Sequence, residues 1–337
     1  MNLNYNLVIS KTRTVTIRNG GTDMESNTPA ATPGTKATLV LLMLLLPLST
    51  GCSIKRTAVN FIGDALASGN SIYETDDDIE LVVDALPFGL KLMESLLAES
   101  PGHIGLLQTA CKGFFLYSYA YVDYEAEILE DTDLDRSRQM RKRAQKLYLR
   151  GLNYGLRGLE KLYPGFKEQL LVNPEKAASR INPKKKDRDL PLIFWSAATL
   201  GSAIAVSPDD AALVARLPEV DALINRGLEL DEAWRNGSFH SFKIQLAGAG
   251  VGSLSDEEIQ EHYSRSLELS EGQDAGLYVA YAMAVSVDNQ DGQEFRSLMD
   301  KALSVDLDRN PQNRLANSIA QRKASWLLDH IDDFILE

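Results

Sequence analysis

Apolar positions recur at intervals of three and four along most of this chain. Between Asp77 and Glu99 they are Ile79, Val82, Val83, Leu86, Leu90, Met93, Leu96 and Leu97, the stripe by which an amphipathic helix buries one side. Pro87 lies inside the stripe and is expected to kink or divide the helix; Pro101-Gly102 ends it. A second helix, rich in Phe and Tyr, is predicted over 104–130. A third, over 134–161, carries Arg136, Arg138, Arg141, Lys142, Arg143, Lys146 and Arg150 on its polar face and stops at Tyr163-Pro164-Gly165. Residues 172–190 are polar and read as a connection with a short helix inside. Further helices are predicted over 191–206, 218–230, 238–247, 256–269, 274–287, 293–305 and 311–334. Pro208, Pro218 and Pro311 stand where a helix can begin, because a first-turn residue has no intrahelical use for its N–H. Ser255 with Glu258 reads as a capping box. Alternating Val/Ile/Thr runs and Asn-Gly turns are scarce, so the fold class is all-α.

The last half of the chain carries a weak repeat. Ile224-x-x-Gly227-Leu228-x-Leu230-Asp231 recurs as Tyr263-x-x-Ser266-Leu267-x-Leu269-Ser270 and as Met299-x-x-Ala302-Leu303-x-Val305-Asp306, with Leu-to-Leu spacings of 39 and 36 residues. Met93-x-x-Leu96-Leu97, closed by Pro101, is an earlier echo. A large residue, a small one three later, then Leu and a stop is how the second helix of a tetratricopeptide repeat ends. The small residue lets the paired helix approach. The expected architecture is therefore an α-solenoid of degenerate tetratricopeptide-like helical hairpins, over residues 76–337.

Ahead of these helices, the run ATLVLLMLLLPL (37–48) is apolar but too short to span a bilayer, which takes roughly 20 residues. Ser49, Thr50, Gly51 and Cys52 follow it. An apolar core with small residues before a cysteine is the pattern of a lipoprotein signal peptide. The expectation is that residues 1–51 are removed, that Cys52 is lipidated, and that 52–75 is a tether with a first short helix. Ser49 occupies the place where a branched apolar residue is usual, and Met24 is an alternative start. With Ser53 after the cysteine, the expected location is the inner leaflet of the outer membrane, facing the periplasm.

Charge narrows the partners. The whole chain is at −12; residues 1–51 hold Lys11, Arg13, Arg18 and Lys36 against Asp23 and Glu25, so the chain from Cys52 is at −14. Such a surface has no general attraction for nucleic acid. Cys111 is the one cysteine besides Cys52, which leaves no intramolecular disulfide; its apolar setting marks it as an inert core residue. The four histidines, His103, His240, His262 and His330, are scattered and show no metal-ligand spacing, and no Gly-x-Ser-x-Gly elbow is present. Gly248-Ala249-Gly250-Val251-Gly252 follows no strand and reads as an inter-helix loop, and Asp76-Asp77-Asp78 as a helix cap. No enzyme, metal or cofactor is indicated.

Aromatic residues are the more informative set. Tyr117, Tyr121 and Tyr124 lie four and three apart, on one helical face, and Trp195, Tyr278 and Tyr281 lie on later apolar helices. Core packing accounts for most aromatics in such a fold; helical solenoids also bind along their inner surface. The candidate groove for a ligand or partner is Tyr117, Tyr121, Trp195, Tyr278 and Tyr281, with Arg314 and Asn317 as polar contacts.

The order of segments resembles one family. DALPFGLKLMESLLAESPGHIGLL (84–107), YAYVDYEAEILED (119–131), RAQKLYLRGLNYGLRGLEKLYPGF (143–166) and DLPLIFWSAATLGSAIAVS (189–207) carry the likeness. So do residues 266–306 and NRLANSIAQRKASWLLDHIDDFIL (313–336). These are similar to TatT, the T component of tetratricopeptide-repeat-associated TRAP transporters. The resemblance implies a periplasmic helical-repeat lipoprotein without catalytic activity. It would work beside the substrate-binding P component and the membrane components of a solute importer, as a homo-oligomer, expected to be a trimer, with a groove that holds ligand. A second reading is a helical-repeat lipoprotein scaffold for outer-membrane or cell-wall assembly. A third, an enzyme, requires a cleft with clustered ionisable groups.

Overall fold

The computed structural model describes residues 51–68 and 72–336, with side chains from Lys55 onward. The signal-peptide expectation for residues 1–51 and the lipidation of the Cys52 side chain lie outside that description. Among the described residues there are helices, turns and loops and no strand, as the periodicity predicts.

Helix α1 is Gly51–Ser68, longer than the short helix expected there. α2 (Ile79–Glu99) runs unbroken through Pro87, whose ring lies on the exposed side. Asp78 caps α2 by accepting the Leu81 N–H at 2.9 Å. The predicted second helix divides into three parts: α3 (Ile104–Tyr117), a π-helical segment Ser118–Asp123, and α4 (Tyr124–Ile128). A π turn inserts an extra residue and re-aims everything after it, so Tyr117, Tyr121 and Tyr124 do not share an ordinary α-helical face.

α5 (Leu134–Leu162) is followed by the short α6 (Phe166–Val172) and α7 (Pro174–Ser179). α8 (Lys186–Ala205) starts five residues before its predicted proline, so Pro191 falls inside the helix rather than opening it. Pro208 opens no helix; the next, α9 (Ala211–Val214), starts after the Asp210 cap. Then come α10 (Leu217–Asp231), α11 (Ser238–Gly248) and α12 (Asp256–Leu269). The Ser255–Glu258 capping box is formed in both directions. α13 (Ala275–Tyr281) passes into a second π segment, Ala282–Ser286. α14 (Gly292–Leu303) and α15 (Arg314–Asp329) end the fold.

Successive helices pack side by side: α2 on α3, α3 on α5, α5 on α8, α8 on α10, α11 on α12, α13 on α14 and α14 on α15. The small positions of the repeat lie at these contacts. Ser266 and Ala302 are fully buried, and a Cβ on Gly227 would stand 2.2 Å from the Phe239 ring. Two hydrophobic clusters result. One takes residues from Ile79 to Val251, the other from Ile244 to Ile335. α15 belongs to both, giving Leu315 and Ile319 to the first and Ala320, Ala324 and Leu327 to the second. It also returns to the start of the fold: the Leu315 N–H donates to the Glu74 carbonyl at 3.0 Å.

Candidate functional site

The seven residues singled out from the sequence fall at three places. Tyr117 and Tyr121 sit at the α3–π junction with ring centroids 5.7 Å apart. Tyr117 is buried; its hydroxyl accepts from Arg143 Nη2 at 3.0 Å, and the guanidinium lies over its ring. Tyr121 is 37% exposed and is the most open of the set. Tyr278 and Tyr281 are buried on α13. Their hydroxyls donate to the Gly272 carbonyl at 3.3 Å and to Gln260 Oε1 at 2.7 Å, and the Tyr281 ring lies 4.1 Å from that of Tyr263. Asn317 joins α15 to the start of α13, accepting the Ala275 N–H at 3.0 Å and donating to the Gln273 carbonyl at 3.1 Å.

Trp195 and Arg314 meet the third place through residues the sequence did not single out. Trp195 on α8 is buried against Phe115 and Phe194, at 5.3 and 4.9 Å, and Lys112 Nζ stands 5.9 Å from its ring centre. Lys112 Nζ contacts Glu74 Oε1 at 2.6 Å, and Arg235 Nη2 reaches the same oxygen at 2.8 Å. Arg235 in turn lies over Trp234. Arg314 Nη1 donates to the Thr75 carbonyl at 3.1 Å, while its buried Nε has no acceptor. Burial pushes the Glu74 carboxyl up, but Lys112 and Arg235 outweigh it and hold it below its ordinary value. Burial pulls Lys112 below the usual lysine value, against the attraction of Glu74.

The backbone beside this cluster is strained. Arg235 and Asn236 have φ of 47° and 58°, two consecutive non-glycine residues in the left-handed region, which the Cβ atom disfavours by crowding the backbone carbonyl. A lone lysine within LLQTACKGFFLY was the sequence signal for this cluster. Its partners lie 38 and 123 positions away, beyond any local pattern.

A second ionisable group gathers on the π segment. Tyr148 donates to Asp123 Oδ2 at 3.2 Å, and Lys323 pairs with Glu127 at 2.9 Å. Burial pushes Asp123 up to about 6, with Lys323 pulling it back. Burial alone would lower Lys323, but Glu127, Tyr119 and Asp123 hold it above its ordinary value. The half-buried Tyr119 stacks on Phe115 at 5.7 Å, so an aromatic run, Tyr119–Phe115–Trp195, links the two charged groups.

The histidines depart from their expected isolation. His103 caps α3, accepting the Leu106 N–H, and His330 ends α15. His240 is buried, and its Nδ1 lies 2.8 Å from that of His262 on α12. The pair has no third ligand: among the described residues no cluster of three or more metal-binding side chains occurs. Cys111 is fully buried, and burial pushes its thiol up to about 12, the inert state expected of it. Gly250 and Gly252 adopt φ of 69° and 90° in the loop after α11. No helix among the described residues is long and apolar enough to cross a membrane. On α2, Leu81, Phe88 and Leu92 are exposed at spacings of seven and four.

Comparison with known proteins places this architecture. A family model described as the TRAP transporter T-component matches residues 75–335. A Treponema pallidum (strain Nichols) protein described as uncharacterized is 26% identical over 306 residues, covering 86% of this chain and 95% of the relative.

Proposed function

This chain belongs to the TRAP transporter T-component family, and from that premise we propose that it is a periplasmic lipoprotein subunit that docks the substrate-binding P component of a solute importer and holds ligand in a groove. The observation that carries this reading is the extent of the match. It covers α2 to α15 nearly end to end, so the whole helical unit, not one motif, is what the family shares.

In this reading the helices form a tetratricopeptide-like solenoid. The close approach at Gly227 and the buried Ser266 and Ala302 support hairpin packing of that kind. Residues 1–51 are the signal peptide, and lipidated Cys52 tethers the protein to the inner leaflet of the outer membrane, with the segment to residue 75 as its link to the helical domain. The apolar face Leu81, Phe88 and Leu92 supports self-association, a trimer being the expected form. Tyr121, exposed beside Tyr117, offers an amphipathic contact for ligand or partner.

The test is affinity co-purification of tagged full-length protein from its native membranes, with mass spectrometry of what is retained. A TRAP-type binding protein at near-equal abundance is the expected result. Retention of outer-membrane or cell-wall assembly proteins in its place would give the role to the scaffold reading instead.

A further inference from the structure

Residues 161–186 hold seven Lys and Arg against Glu168 and Glu175, a charge of +5, in a chain that is at −14 from Cys52 onward. Lys176, Lys184 and Lys185 are exposed and make no ion pair among the described residues. Arg180 is held by neutral acceptors, Gln169 Oε1 at 3.0 Å and the Pro164 carbonyl at 2.8 Å, so its charge is uncompensated as well. Between Lys167 and Lys176 stand two exposed apolar side chains, Leu171 at 63% and Val172 at 80%, in the last turn of α6. Phe166 and Leu170 before them, and Ala177 and Ile181 after them, are buried in the first hydrophobic cluster. Folding therefore fixes this segment and holds an apolar tip in water, flanked by cations. The basic face of α5 differs: Arg141 and Arg150 are paired with Glu130 and Glu94, and Arg143 lies over Tyr117. The start of α1 reaches the same end of the molecule. Lys55, three residues after Cys52, pairs with Glu99 at 2.7 Å, and Arg157 near the end of α5 donates to the Pro101 carbonyl at 3.0 Å.

We propose that the segment from α6 to Lys185 is a membrane-contact surface that lies on an anionic phospholipid bilayer, with Leu171 and Val172 entering the headgroup region and Lys176, Arg180, Lys184 and Lys185 on the lipid phosphates. Apolar insertion and attraction of cations to anionic lipid add together in such a contact. A protein partner fits less well, because two apolar side chains on a seven-residue helix offer little area to a folded surface, whereas a bilayer takes up single side chains. The inference rests on the reading of Cys52 as a lipid anchor, which brings a bilayer to this end, and adds the face that turns toward it. Tyr117 and Tyr121, beside Arg143 in the other half of α5, then point away from the membrane.

The test uses the full chain with Cys52→Ser, which takes no lipid, and two kinds of vesicle: phosphatidylcholine alone, and equal parts phosphatidylcholine and phosphatidylglycerol. Residues 1–51 are common to every variant, so differences between variants report the folded surface. In co-flotation, the triple variant Lys176→Gln, Lys184→Gln, Lys185→Gln is expected to lose about tenfold or more in affinity for the mixed vesicles and nothing for the neutral ones. High salt is expected to shrink that difference. The same charge removed as Arg136→Gln, Arg138→Gln, Lys142→Gln, roughly 30 Å or more along α5 from Lys161, is expected to change neither affinity. A polarity-sensitive dye on Val172→Cys is expected to shift to the blue on the mixed vesicles; Cys111 is fully buried and takes no label. Equal losses in the two triple variants, no loss in the first, or an unshifted dye overturns the proposal. So does loss of P-component capture by the first triple variant with vesicle binding intact, which would give the surface to a protein. Native protein acylated at Cys52, together with no preference for the mixed vesicles, would sink this inference and leave the anchor standing.

Discussion

Glu74 Oε1 accepts from Arg235 Nη2 at 2.8 Å across 161 positions of chain. The same residue's carbonyl accepts the Leu315 N–H, so one short connection ties α3, the bend before α11 and the start of α15.

Asn317 serves α13 from another helix. It satisfies the first N–H of α13 and the Gln273 carbonyl and is 3% exposed. Asn317→Ala is expected to leave both backbone groups unpaired and to lower stability by about 1–3 kcal/mol. Urea unfolding reads this directly; an unchanged midpoint would mean that water replaces the side chain.

Close helix approach makes a sharper pair of variants. In Gly227→Ala the new methyl meets the Phe239 ring, which is fully buried and has nowhere to turn, and a loss of about 1–3 kcal/mol is expected. Gly89 on α2 meets only Tyr73 Oη, at 3.4 Å. Gly89→Ala is therefore expected to raise stability by about 0.5–1 kcal/mol through helix propensity. Thermal melts of the two variants moving in the same direction would contradict the packing described.

Two groups give opposite pH dependences. Burial, with Lys243 and His240 nearby, pulls His262 down to about 4, and burial lowers His240 against the pull of Glu232. Their Nδ1–Nδ1 hydrogen bond needs one donor and one acceptor, so it fails when both rings are charged. The folded state then holds fewer protons than the unfolded chain below the ordinary histidine value near 6.5, and this stability is lost as pH falls from there toward 4. Asp123, raised to about 6, does the reverse: it costs stability above that pH and returns it on acidification. Asp123→Asn is expected to gain about 1–2 kcal/mol near neutral pH and to lose stability more steeply on acidification than wild type. Parallel curves of unfolding midpoint against pH would exclude this balance.

Tyr121 separates binding from folding. Its ring rests on Tyr117 but is 37% exposed, so Tyr121→Ala is expected to cost at most about 1 kcal/mol of stability while weakening capture of the P component. Capture at wild-type level would remove Tyr121 from the docking surface. Tyr281→Ala, buried against Tyr263, is expected to lose stability outright.

The sequence by itself determined the helices. Stripes such as Ile79–Val82–Val83–Leu86, the caps at Asp78 and Ser255, and the small residues Gly227, Ser266 and Ala302 each act within a turn or between adjacent helices, and local spacing records them. Collinear segments likewise carried the family. What only the tertiary structure decided was which polar residues face one another. The π segment after Tyr117 breaks the register from which a common Tyr face was read, because one added residue rotates all that follow. Glu74 with Lys112 and Arg235, His240 with His262, and Lys323 with Glu127 are brought together by helices distant in the chain. Such pairs leave no periodic trace: a charged residue has the same local spacing whether it meets water or a partner, and only packing chooses between them.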